Sequence, residues 1–225
     1  MSNVISSIAS YLSRDVEALD VIGQNVANMR TAGYRTERLK SGFRGEGPGA
    51  DRFLSLLDGN IDKTGAPLDF AIQGPGFFVV EADGQERLTR NGQFHLDADR
   101  QLVDAMGRPV LGASGPIALD SETVRVAADG TITDGDRQVD TLRIVGVADA
   151  NGLRELGSGL YAYDGAPADW NGTLHQGALE RSNVDPGTEM VRLMEVTRHA
   201  QSVQRAIQAY DTAMQNGISH LGDNA

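Results

Sequence analysis

The chain has 225 residues, 40% hydrophobic and 23% charged, with no cysteine and a formal net charge of −11. The absence of cysteine excludes disulfides and thiolate metal sites, and no apolar run approaches the roughly 20 residues of a membrane span. The acidity is local: residues 61–180 carry nineteen acidic and nine basic groups, while residues 1–60 and 181–225 are close to neutral, which opposes nucleic acid and anionic lipid as partners.

Residues 2–28 read as one helix, roughly 40 Å long at 1.5 Å per residue. Ile5, Ile8, Leu12, Leu19, Ile22, Val26 and Met29 fall on one seam of alternating three- and four-residue steps, interrupted by Asp15. A seam repeating every 3.5 residues is the pattern of helices that wind around partner helices. Asp15 either pairs with an arginine of another helix, such as Arg198 or Arg205, or faces a gap or water. Asn25 and Asn28 have two readings as well: buried asparagines that fix register, or a solvated Asn25 beside an Asn28 that merely ends the helix. Gly33 is expected in a left-handed conformation at the chain reversal, with Tyr34 anchoring the segment to a neighbour. The first fifteen residues lack a basic start followed by an apolar block, so no cleavable signal of the usual kind is expected.

From residue 30 to 64 the periodicity dissolves. Gly42, Gly45, Gly47, Pro48 and Gly49 punctuate a connector of scattered charge, typical of a segment that orders on binding. The β-rich body then begins near Leu68. Phe77-Phe78-Val79-Val80 follows the Gly74-Pro75-Gly76 turn, and Asn91-Gly92 stands between two alternating runs as a hairpin signal. Short strands are expected around 109–111, 117–119, 123–127 and 138–147, separated by glycines. Strands so short, with no long helical pattern between them, argue for antiparallel sheet or barrel rather than a parallel α/β fold.

The last helix has a clear start. Asp185 can cap it, Pro186 suits its first position, and Glu189 favours its positive end. Leu193, Val196, Ala200, Val203, Ile207, Tyr210, Met214 and Leu221 keep the same rhythm, with Gly217 as the gap. The expected domains are 1–34, a helix and turn; 35–66, a connector; 67–180, a β-rich domain; and 181–225, the second long helix.

No chemical site emerges. His95, His175, His199 and His220 are scattered, with no i, i+4 pair. Asp97-Ala98-Asp99 and Asp134-Gly135-Asp136 lack the ligand spacing of a calcium loop and read as acidic turns. Gly112-Ala113-Ser114-Gly115 is followed by Pro116 where a nucleophile elbow needs glycine. We therefore expect no catalytic residue, metal or cofactor.

Four motifs resemble the rod and hook proteins of the bacterial flagellar basal body. Asn25-Val26-Ala27-Asn28 with Thr31-Ala32-Gly33-Tyr34 is similar to that family's signature at the end of its first helix. This chain has Gln24 where a further asparagine is usual and Ala32 where proline is common. The run from Pro67 to Phe78 resembles the block that opens the family's β domain, and Thr89-Arg90-Asn91-Gly92-Gln93-Phe94 its next hairpin. The run from Gln176 to Val184 looks like the approach to its C-terminal helix, although Thr197-Arg198-His199 departs from the glutamine-arginine usual later in that helix. The motifs occur in family order. The short length and the Arg108-Pro109-Val110-Leu111-Gly112 block look most like proximal-rod members, with distal-rod members the nearest competitor.

The resemblance implies a fold of mixed α and β in which long N- and C-terminal helices pair as a coiled coil, with a central, mainly antiparallel β domain. It implies a structural subunit, not an enzyme, that polymerises helically in the periplasm to carry torque from motor to hook. The implied partners are other rod subunits, copies of itself and the flagellar type III export apparatus, which exports such chains without cleaving a signal. The expected assembly interface is the two seams, apart from Met29, together with Asn25, Asn28, Gly33 and Tyr34. The alternative of another class is a soluble adaptor that binds partner helices through the same seams.

Overall fold

The computed structural model describes residues 2–39, 52–147 and 149–222, without the side chains of residues 2–5, 150, 211 and 216–222. The glycine-rich stretch at 42–49 and the side chains of Ile5, His220 and Leu221 lie outside the described residues. The chain divides into a helical unit, Met1–Val26 with Leu39–Arg52 and Asp185–Ala225, and a β unit, Ala27–Arg38 with Phe53–Val184.

The helical unit holds α1, Ser2–Ala27, and α2, Pro186–Gly222. Among the described residues no helix is long and apolar enough to cross a membrane. The start of α2 follows from four consecutive residues. Asp185 precedes the helix, its carbonyl accepts from Glu189 N at 3.1 Å, and its carboxylate accepts from Gly187 N at 3.0 Å and Thr188 Oγ1 at 2.8 Å. Pro186, lacking an N–H, occupies the position where none is needed.

The Thr188 hydroxyl and then the Gly187 N–H hold the Asp185 carboxyl below its ordinary value of 3.8. A carboxyl whose folded value is depressed stabilises the fold above its unfolded value, and that contribution is lost as pH falls through the folded one. The Gly187 and Thr188 amide resonances are therefore expected to hold steady from neutral pH down to the carboxylate range, then move below pH 3.8. In Asp185→Asn, which keeps an acceptor but cannot titrate, that movement should vanish.

The expected coiled-coil pairing of the two terminal helices is not found. Leu19 is 40% exposed, Val26 42% and Leu193 38%, whereas a closed seam would bury all three. Among the described side chains, the buried apolar residues of α1 are Val21 and Ile22. Polar contacts join the two helices. Asp15 meets His199, and Asn25 meets Glu189.

Among the described residues, ten strand pairs of the β unit run antiparallel. The largest sheet has five strands in the order Ile144–Val145, Phe77–Ala82, Gln85–Thr89, Leu160–Tyr163, Leu153–Gly157. Its second strand shows why Phe77-Phe78-Val79-Val80 is apolar without alternation. Side chains alternate across a strand, and here both faces are covered. Phe78, Val80 and Ala82 enter one core with Phe70, Ile72 and Phe94, while Phe77 and Val79 enter another with Leu88, Leu153 and Tyr161. Phe78 meets Phe94 edge-on at 5.2 Å between centroids, and Phe77 meets Tyr161 at 5.6 Å.

The hairpin expected at Asn91-Gly92 is a second correction. Gln85–Thr89 pairs with Phe77–Ala82 across an Asp83-Gly84 turn, and Phe94–Leu96 pairs instead with Leu102–Asp104. A two-residue turn of the favoured type needs positive φ at both positions. Asp83 at 53° and Gly84 at 69° supply it, and Asn91 and Gly92 do not. The absent Gly92 side chain serves close approach, because a Cβ there would lie 1.9 Å from the Phe70 carbonyl oxygen. The second half of the expected connector is also built into this unit: Ile61–Lys63 pairs with Ala178–Glu180.

Candidate functional site: a buried charged junction and the helical stripes

The segment that follows α1 and the segment that precedes α2 meet inside the β unit. Asn28 closes the turn after the helix, its carbonyl accepting from Thr31 N at 3.0 Å and its Oδ1 from Thr31 Oγ1 at 3.1 Å. Gly33 takes φ of 68°, the left-handed conformation expected of it, and its N–H donates to the Glu180 carbonyl at 2.8 Å. Asn183 then sews three segments together. Its Oδ1 accepts from Thr36 N at 2.7 Å and Thr36 Oγ1 at 2.6 Å, and its Nδ2 donates to the Leu57 carbonyl at 2.7 Å.

Beneath these bonds lies a closed ring of alternating charge. Glu180 takes Arg35 Nη2 on one oxygen at 3.0 Å and Arg90 Nε on the other at 2.5 Å. Asp58 Oδ1 takes Arg35 Nη2 at 3.1 Å and Arg90 Nη2 at 3.0 Å. Backbone N–H groups add a further donor to each carboxylate, Gly59 on Glu180 Oε1 at 2.7 Å and Gly74 on Asp58 Oδ2 at 2.9 Å. Arg90 spends its remaining donors on the carbonyls of Ile72 at 2.8 Å, Gly74 at 2.9 Å and Gly76, and its guanidinium stands 5.9 Å from the Phe77 ring centroid.

The Arg90 side chain is fully buried, and those of Arg35 and Glu180 nearly so. Burial first, and the like charge of Arg35 second, push the Arg90 guanidinium below its ordinary range, against the pull of Glu180 and Asp58. At Asp58 burial alone would raise the carboxyl. The Gly74 N–H, the Arg35 hydrogen bond and the two guanidinium charges outweigh it and hold the group low. Both carboxylates are committed to guanidinium and backbone donors, so the ring clamps chain segments rather than moving protons.

The seam residues are distributed unevenly. Ile22 is buried and Ile8 and Leu12 are half-buried, but Leu19 and Val26 are exposed. On α2, Val196, Ala200, Val203, Ile207 and Tyr210 are half-buried, and Leu193 and Met214 are exposed. Beside Leu193 the helix also exposes Met190, Val191 and Met194, which a strict 3.5-residue rhythm leaves out. Asn25 is fully buried and its Nδ2 donates to Glu189 Oε2 at 3.3 Å, so it is not solvated. Tyr34 is only 4% exposed. Asp15 is buried against His199 and not against Arg198 or Arg205.

The sequence reading missed the ring altogether. Its one visible signal was that Arg90 and Glu180, both charged, sit inside motifs otherwise made of apolar and turn residues.

Two family models match the chain. The flagellar hook protein FlgE/F/G D1 domain matches residues 71–134, and the flagellar basal body rod FlgEFG protein C-terminal region matches residues 175–219. Curated relatives align over nearly the whole length. The flagellar basal-body rod protein FlgF of Caulobacter vibrioides is 32% identical, covering 91% of each chain. FlgF of Salmonella typhimurium is 30% identical over 94% of this chain and 95% of its own. The flagellar basal-body rod protein FlgG of Bacillus subtilis is 30% identical over 89% and 92%. The first of these matches includes the segment after α1, the ring and the lead-in to α2 in one alignment, and this chain therefore belongs to the flagellar basal-body rod protein family.

Proposed function

We propose that this protein is a structural subunit of the flagellar basal-body rod, of the proximal type, and that it does no chemistry. The observation that carries this reading is alignment with FlgF proteins over more than nine-tenths of both chains. The apolar side chains that α2 leaves exposed, Met190, Val191, Leu193 and Met194, supply burial that a soluble monomer forgoes, each worth roughly 1.5–3 kcal/mol when fully covered. We place the assembly surface on these residues and on the half-buried stripe from Val196 to Met214, facing copies of this chain and other rod subunits. Export through the flagellar type III apparatus without a cleaved signal, and a periplasmic position from which torque passes to the hook, complete the proposal.

Cross-linking mass spectrometry on isolated hook–basal bodies tests it. Links from residues 186–214 to proximal-rod neighbours are the expected result. Links confined to distal-rod and hook-junction proteins would move the subunit along the shaft. Absence from the finished particle would replace the structural role by that of a transient adaptor.

A further inference from the structure

Two sequence irregularities, one in each helix, meet in space. Asp15 breaks the apolar rhythm of α1, and His199 stands where the resemblance leads one to expect glutamine-arginine. Within the helical unit His199 Nδ1 lies 2.9 Å from both Asp15 oxygens. An ionised carboxylate only accepts, so Nδ1 carries the hydrogen. Tyr11, one turn before Asp15, sets its ring edge-on to the imidazole at 6.0 Å between centroids and 77° between planes. Asp15 is 9% exposed, so its charge is lodged where a donor matters.

We infer that Asp15 and His199 are a matched pair of positioning residues that fix the lengthwise register of α1 against α2 within one chain. The second polar contact, Asn25 with Glu189, makes the case geometric. Each helix advances ten residues between its two contact points, in opposite chain directions. Ten residues rise about 15 Å on either helix, so a single antiparallel register satisfies both contacts. Sliding one helix by a turn, about 5.4 Å, breaks both together and strips the buried Asp15 carboxylate of its donor. An apolar stripe that stays partly exposed tolerates such a slip, because one aliphatic contact is much like the next. A directional N–H to carboxylate bond does not. The pair thus supplies the specificity that the open seam lacks, and it does so whether or not the chain is a rod subunit.

Because the chain has no cysteine, spin labels on cysteines introduced at the exposed Ala9 and Glu195 report the register without background. The full chain, kept dilute and monomeric, is measured by pulsed electron paramagnetic resonance. A single narrow distance is expected with Asp15 and His199 in place. Asp15→His alone and His199→Asp alone should each add populations displaced by about one helical turn, roughly 5 Å. The swapped double variant should restore the narrow distance. Either single variant keeping the parent distribution, or the swap staying as broad as the singles, overturns the inference. Failure of the rod assignment would appear instead as absence from basal bodies with the narrow distance intact.

Discussion

Replacing Arg90 by alanine is expected to cost the β unit about 3–5 kcal/mol, the range for removing one partner of a buried ion pair. The loss is not that of a single bond. Glu180 keeps Arg35 and the Gly59 N–H, Asp58 keeps Arg35 and the Gly74 N–H, but the ring opens with one cation facing the buried Glu180 carboxylate and the partly exposed Asp58 carboxylate. The carbonyls of Ile72, Gly74 and Gly76 lose a shared donor in the same step. Arg90→Lys should recover only part of the loss. An ammonium on a flexible stem replaces one point charge, and it cannot span Glu180, Asp58 and three carbonyls with a planar fork. Urea denaturation followed by the fluorescence of the single tryptophan, Trp170, reads the result, since Trp170 packs against the main core. A midpoint within error of the parent for Arg90→Ala would mean that the ring contributes geometry without net stability.

The contrast between what the sequence displayed and what it concealed follows from the range of each interaction. Helix periodicity and the Asp185-Pro186 cap are local, decided within a few residues, and the cap appears in the structure as read. The Gly33 conformation is local too, and its φ of 68° matches the expectation. The two-faced burial of Phe77 to Val80 shows as an unbroken apolar run. Other features are set by partners far away in the chain. Arg90 reaches Glu180 ninety positions away, and Asp15 reaches His199 across 184. Nothing in the neighbourhood of either residue names its partner.

The Asn91-Gly92 turn signal is overridden for a related reason. Asn-Gly is a strong turn signal, but the side chain of the preceding Arg90 is drawn inward by the ring, and Gly92 is needed to let the Phe70 backbone approach. Tertiary demands at Arg90 and Gly92 override a two-residue preference. The terminal seams failed differently. A 3.5-residue rhythm states that a helix has an apolar stripe, not that the other helix of the same chain covers it. Leu19, Val26 and Leu193 remain open to solvent in the single chain.

The largest effect on assembly is expected from Gly33→Ala, and a control separates its two causes. Gly33 and Gly65 have similar backbones, with φ of 68° and 76°. Alanine at either site carries the left-handed penalty, about 1–2 kcal/mol. At Gly65 a Cβ meets nothing within 4 Å, so the penalty is the whole effect. At Gly33 a Cβ would fall 2.3 Å from the Arg90 carbonyl carbon and oxygen and 2.6 Å from Asn91 N. These are backbone atoms, so no rotamer change relieves the overlap. The segment must instead move away from the peptide that follows the ring's central cation. That movement pulls the Gly33 N–H from the Glu180 carbonyl and shifts Tyr34, whose carbonyl receives Asn183 N at 3.3 Å. Each buried hydrogen bond broken in this way adds about 1 kcal/mol or more. Gly33→Ala should therefore unfold at clearly lower urea than Gly65→Ala, by roughly 2 kcal/mol. In a strain lacking its own copy of the gene, Gly65→Ala should restore swimming in soft agar and Gly33→Ala should not. Equal stability of the two variants would show that the chain can absorb a methyl group between Gly33 and Arg90, and would remove the close approach of these segments as the reason glycine stands at the end of the first helix.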